Sequence, residues 1–173
     1  MPAWAAIAEA PMSSFYDPKT YHARDSVGYL VRRAGNLMTT RVEEVFADHE
    51  ITFAQWLVLM KLRDGIATTA AEIARDMCHD SGALTRIIDQ LAQRGLLERQ
   101  RGQEDRRTMT LSLTERGLEI VNGLVPTVVG LLNMALADFT YDEAVALTRL
   151  LKKLIDGVNA APAMTAKDLE HLK

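Results

Sequence analysis

The stretch Asp80-Ser-Gly-Ala-Leu-Thr-Arg-Ile-Ile-Asp-Gln-Leu-Ala-Gln-Arg-Gly-Leu-Leu-Glu-Arg99 changes its hydrophobic period partway along. Leu84, Ile87, Ile88 and Leu91 recur at the spacing of one helical face, Asp80 stands where an N-cap belongs, and Gly95 supplies the usual stop. Past the glycine, residues 96–101 read as a strand and 102–105 as its turn. From Thr108 the pattern alternates, with Thr108, Thr110 and Ser112 on one face and Met109, Leu111 and Leu113 on the other. The stretch is therefore a helix followed by a β-hairpin.

Upstream, Thr69 and Glu72 form a capping box that opens a short helix with Ile73, Ala74 and Met77 facing inward. A turn, Cys78-His79-Asp80, joins that helix to the next. Thr52 and Gln55 box another helix, which ends near Asp64 and Gly65, and Ile51 can staple onto Trp56. Before it, a wide apolar stripe runs over residues 25–48. Downstream, Thr114 caps a long helix in which Pro126 is expected to kink or split the ladder, and Thr140 with Glu143 boxes a last helix. The fold class is mainly α with a small β-hairpin wing: a winged helix-turn-helix plus a helical dimerisation region. The expected organisation is an N-terminal extension over 1–20, a DNA-binding domain over 51–113, and dimerisation helices over 21–50 and 114–173. The terminal helices are more apolar than one small core requires, and a symmetric dimer is the commonest way to bury such surplus.

Composition limits the alternatives. A 173-residue chain with 48% hydrophobic and 25% charged residues is long enough and apolar enough for a core of its own, which argues against overall disorder. The net charge of -3 does not advertise a nucleic-acid partner, but phosphate contact depends on local charge. The single cysteine, Cys78, rules out a disulfide within the chain and fits a reducing cytoplasm. Residues 1–11 have no basic region of the kind that opens a secretory signal, and no continuous apolar run approaches the roughly 18 residues of a membrane span.

A helix that reads DNA must bring its backbone close to base edges, so its leading end needs small or polar residues. Ser81, Gly82, Ala83 and Thr85 meet that need, and Arg86 lies one turn on, able to reach guanine or phosphate. Thr68 and Thr69, at the start of the preceding helix, can offer hydroxyl and N–H groups to phosphates. Arg99, Arg101, Arg106 and Arg107 crowd the hairpin, where arginine suits a narrow minor groove, and Asp105 can hold Arg107 extended. Alone, a basic hairpin usually means solvated surface; after a helix-turn-helix it carries far more weight.

These residues resemble the MarR family of bacterial transcription regulators. The family's wing pattern is Asp-x-Arg, five residues, then Leu-Thr-x-x-Gly; Asp105, Arg107, Leu113, Thr114 and Gly117 satisfy it, and the helical order extends the likeness over roughly residues 25–158. The resemblance implies a homodimer that binds a pseudo-palindromic operator on double-stranded DNA, mostly as a repressor, with release by a small aromatic or anionic effector or by an oxidant. It implies Ser81, Gly82, Ala83, Thr85 and Arg86 as major-groove readers, Arg107 as the minor-groove arginine, and Asp105 as the acid that orients it. The chain departs from the pattern in the turn, where Cys78 and His79 replace the usual glycine and aliphatic residue, and in an N-terminal extension longer than that of the shortest members.

The remaining candidates each admit a plainer reading. Cys78 is either a redox sensor or an inert thiol filling the turn; the resemblance implies that oxidant-sensing members often place their cysteine near the first helix, where this chain has none. His79 is either a contact for an effector carboxylate, a pH sensor, or a satisfied structural histidine. Met38, Trp56 and Met60 line an effector pocket or pack a core, and Arg33 and Arg63 receive an anion or stay solvated. No phosphate-binding glycine loop, nucleophile elbow or paired-histidine motif marks an enzyme, and neither a metal site nor a cofactor is expected. A general DNA-architectural or protein-interaction module is the other alternative.

Overall fold

The computed structural model describes residues 15–77, 81–101 and 109–161, apart from the side chains of Ser81 and Arg101. Within them a 3-10 turn, Ala23–Asp25, leads into α1 (Val27–Phe46), α2 (Phe53–Arg63), α3 (Ala70–Met77), α4 (Ser81–Gln93), β1 (Leu97–Arg101), β2 (Met109–Leu113), α5 (Glu115–Ala135) and α6 (Tyr141–Ala160). This is the expected mainly helical fold with one small antiparallel hairpin. The expected turn at Cys78, His79 and Asp80 and the expected wing tip with Asp105, Arg106 and Arg107 lie outside the described residues.

The chain forms two compact units, residues 1–118 and 119–173. In the first, local chemistry sets each helix end. The Ser26 hydroxyl accepts the Tyr29 N–H and starts α1. Thr52 and Gln55 make the reciprocal capping box of α2, with bonds of 3.2 and 3.1 Å. α2 and α4 both end on a glycine with positive φ, Gly65 at 65° and Gly95 at 66°. At each end the following N–H reaches back to a carbonyl of the last turn, Ile66 to Lys61 and Leu96 to Leu91, both at 3.0 Å. These are Schellman closures, which satisfy carbonyls that the helix leaves orphaned.

Val58, Leu59, Ile73, Leu84, Ile88, Leu91, Leu96 and Leu97 are sealed from solvent and form the core of this unit. Each such side chain contributes about 1.5–3 kcal/mol relative to exposure. Phe46, Phe53 and Trp56 close one side with ring centroids 5.7 to 6.0 Å apart. The hairpin pairs Leu97 with Leu113 and Arg101 with Met109. It is tied to the α2–α3 loop because the Leu111 N–H donates to the Thr68 carbonyl at 2.7 Å. Among the described residues of the alternating set only Leu111 is fully buried; Leu113 is half-buried, and Met109, at the distal end of the ladder, is exposed.

In the second unit, Thr140 and Glu143 box the start of α6, with bonds of 2.8 and 3.3 Å. α5 runs unbroken through Pro126. A proline removes one ladder bond, and here the flanking turns hold without it. Over 18 residues α5 reaches a mean hydropathy of 1.5, so by length and composition alone it could cross a membrane. A search for continuous apolar runs misses this because Glu119, Asn122, Pro126 and Thr127 interrupt the stretch. No residue of α6 is buried, and Leu147, Leu150, Leu151, Leu154, Ile155 and Val158 are all exposed.

Candidate nucleic-acid interface

α4 sorts its residues by face. Leu84, Ile88 and Leu91 recur at helical spacing and are buried to 1% exposure or less. Gly82, Ala83, Thr85 and Arg86 are exposed on the leading turns. Three of those four have side chains no larger than threonine, so another molecule can approach the backbone there. Arg86 has no salt-bridge partner among the described residues.

Polar contacts hold the far end of this helix. Gln55, buried on α2, donates from Nε2 to Gln90 Oε1 at 3.0 Å. Its Oε1 accepts from Arg94 at 3.4 Å as well as from its own cap. Arg94 and Arg116 both approach Glu50, at 3.7 and 3.9 Å. On the other side, Lys61 of α2 pairs with Asp76 of α3. The helix-turn-helix is thus braced from α2 at both of its helices.

Thr68 and Thr69 are brought to the start of α3 as expected, yet their donors are engaged within the chain. Both backbone N–H groups donate to Glu72 Oε2, at 2.8 and 3.0 Å, and the Thr68 hydroxyl donates to the same oxygen at 3.3 Å. The Thr69 hydroxyl accepts the Glu72 N–H at 3.2 Å. The Thr68 N–H foremost, then the Thr69 hydroxyl and N–H, hold the Glu72 carboxyl below the usual glutamate range. A phosphate at this helix start would have to displace a carboxylate.

On the hairpin, the guanidinium of Arg99 is paired with Asp89 of α4. Arg101 closes the ladder opposite Met109. At the base of the hairpin the Thr114 hydroxyl donates to the Gly95 carbonyl at 2.7 Å and accepts the Gly117 N–H at 3.1 Å. The leucine-threonine-x-x-glycine part of the wing pattern is therefore a joint. It caps α5 and fastens it to the end of α4.

The proposed effector-pocket residues are spread over two helices. Trp56 is buried among Phe46 and Phe53, and Met60 is half-buried one turn on. Met38 is exposed on α1. Arg63 pairs with Asp64 at 2.8 Å. Arg33 lines an open hollow of about 420 Å³ with Tyr29, Arg32, Asn36 and Leu37, and donates to the Tyr29 hydroxyl at 3.3 Å. Trp56 and Met60 do not line that hollow. His79 falls outside the described residues.

Sequence reading missed Gln55 as a link to α4, Asp89 as the partner of Arg99, and Glu72 as the acceptor for Thr68. The capping boxes were visible signals for Gln55 and Glu72, but a box shows a residue's local role alone. The acid-basic pair Asp89 and Arg99 spans two elements, and only their packing brings it together.

Two successive helices, α3 and α4, an exposed small-residue face on the second, and a hairpin fastened behind it are the arrangement of a winged helix-turn-helix. The MarR family pattern matches residues 51–109. The multiple antibiotic resistance protein MarR of Escherichia coli is 31% identical over 130 residues, covering 75% of this chain and 90% of that protein. The chain belongs to the MarR family of transcription regulators. It is also similar to the transcriptional repressor NicR of Pseudomonas putida, 27% identical over 84% of this chain and 92% of that one. Among solved structures, Bordetella bronchiseptica BpsR, whose DNA binding is regulated by 6-hydroxynicotinic acid, superposes with a TM-score of 0.70 at 29% identity, covering 79% of this chain and 97% of that one. A cysteine-to-serine mutant of Escherichia coli MarR complexed with operator DNA gives a TM-score of 0.64 at 31% identity, over 74% of this chain and 92% of that one.

Proposed function

We propose that the protein is a homodimeric, sequence-specific transcription repressor that binds a pseudo-palindromic operator and releases it when a small aromatic or anionic effector binds. The observation that carries this reading is the sorting of α4: an apolar face sealed into the core and a leading face of Gly82, Ala83, Thr85 and Arg86 open to solvent. With Ser81, these residues enter the major groove. Arg107, oriented by Asp105, enters the flanking minor groove, and Arg101 and Arg106 add local positive charge. The operator complex of the related Escherichia coli MarR supports DNA as the partner.

The dimer reading rests on unpartnered apolar surface. Leu30, Val31, Leu37 and Met38 are exposed on α1, and the leucine stripe of α6 is exposed along its length. A second copy buries such faces, and it accounts for the apolar α5 without a membrane. Two copies place two reading helices in successive major grooves, about one helical turn apart. The effector class is drawn from BpsR, and 6-hydroxynicotinic acid is the compound to try first. A DNA-binding regulator of this kind works in the cytoplasm.

A quantitative gel shift tests the reading. The probes are the intergenic DNA beside the protein's own gene and a shuffled fragment of equal composition, each over a range of salt. Tight binding to the first alone, weakening steeply with salt, is expected. Equal binding to both would favour a general architectural role.

A further inference from the structure

We propose that Arg99 is a positioning residue which holds the wing to the reading helix and keeps Arg86 available for DNA, and that it makes no phosphate contact of its own. The inference rests on the regulator reading above. Arg99 sits on β1 and its guanidinium pairs with Asp89 Oδ1 on α4. The two side chains are 40% and 56% exposed. A pair this open to water adds little to stability, so its consequence lies in what it orients.

Two geometric facts give it that consequence. The pair bridges the two elements that must enter adjacent grooves, so it fixes the base of the wing relative to α4. Asp89 is also three residues after Arg86, a spacing at which side chains on a helix meet. An unpaired Asp89 would draw the Arg86 guanidinium back along the helix and away from the bases. It would also turn a bare carboxylate toward an anionic partner. Arg99 neutralises Asp89, and Arg86 is left without an ion-pair partner among the described residues.

The test compares the full-length wild type with Arg99→Gln, and with Arg99→Gln combined with Asp89→Asn, on the intergenic and shuffled fragments. Both positions are exposed, and equal melting temperatures show that the variants fold. Arg99→Gln is expected to lose at least about fivefold in preference for the intergenic fragment, the low end of what one base contact discriminates. The slope of log affinity against log salt should stay unchanged, because no phosphate contact is lost. Adding Asp89→Asn should restore most of the preference by releasing Arg86. A slope shallower by about 0.9, the mark of one lost phosphate contact, overturns the proposal. So does an unchanged preference in Arg99→Gln, or no recovery in the double variant. If the wild type itself fails to discriminate the fragments, the regulator reading falls and the positioning role with it.

Discussion

Gly117 and Leu96 meet backbone to backbone: a β-carbon on residue 117 would stand 1.9 Å from the Leu96 carbonyl oxygen. The Thr114 hydroxyl bonds to Gly95 beside them, so the first turn of α5 lies directly on the chain leaving α4. Gly117→Ala ought to improve helix propensity, yet the obstacle is backbone and cannot swing aside. The expected result is a loss of about 1–3 kcal/mol, read as a melting temperature lower by roughly 2–12 °C. Gly123→Ala is the control. It lies in the same helix with nothing near its added methyl, and should be neutral or stabilising by up to about 1 kcal/mol. Equal behaviour of the two variants would contradict the close-approach argument.

The reading helix makes a second prediction. Arg86→Ala removes an exposed side chain with no ion-pair partner among the described residues, so stability should hold while operator discrimination falls by about 1–3 kcal/mol. Competition binding against single-base variants of the bound fragment would show relaxed selection at one position in each half-site. Undiminished selection at every position would remove Arg86 from the readers.

Capping glutamates make stability pH-dependent. Glu72 is held below the ordinary glutamate range by the Thr68 N–H foremost, and Glu143 by the Thr140 N–H. A folded-state value below the unfolded one means the contribution is full above the unfolded value of about 4.3, and is lost as pH falls through the lower, folded one. Melting temperatures of the wild type should therefore drop on acidification below that point. Glu72→Gln, which keeps the shape of the box, should flatten the drop. Parallel pH profiles would show that the carboxylate is not the titrating group.

The apolar stripe of α6 predicts the assembly. Leu154→Asp places a charge on a face that is already open to solvent in the single chain, so the fold should survive. Sedimentation equilibrium should report a dimer for the wild type and a shift toward monomer for the variant, with weaker operator binding. An unchanged mass would move the dimer contact off α6.

Much of this architecture was legible because its causes are local. Thr52 with Gln55, Thr69 with Glu72, and Thr140 with Glu143 are three residues apart, so the chain shows both partners of each box at once. The period switch after Gly95 marks the hairpin for the same reason. What was not legible depends on packing. Nothing in the sequence says that Glu72 captures the donors of both threonines, which had looked free for phosphate. The link from Gln55 to Gln90 spans 35 residues. Pro126 is expected to kink or split α5; the 21-residue helix is not split there, because its other ladder bonds carry it past the one the proline removes.

Hydroxyl-radical footprinting of the wild type on the intergenic fragment tests the central claim most directly. Two reading helices related by a dimer two-fold predict two protected patches with centres about one helical turn, ~10 bp, apart, over sequences that are inverted repeats of each other. A single patch, or protection that follows no sequence, would contradict the account of this chain as a dimeric operator-binding regulator.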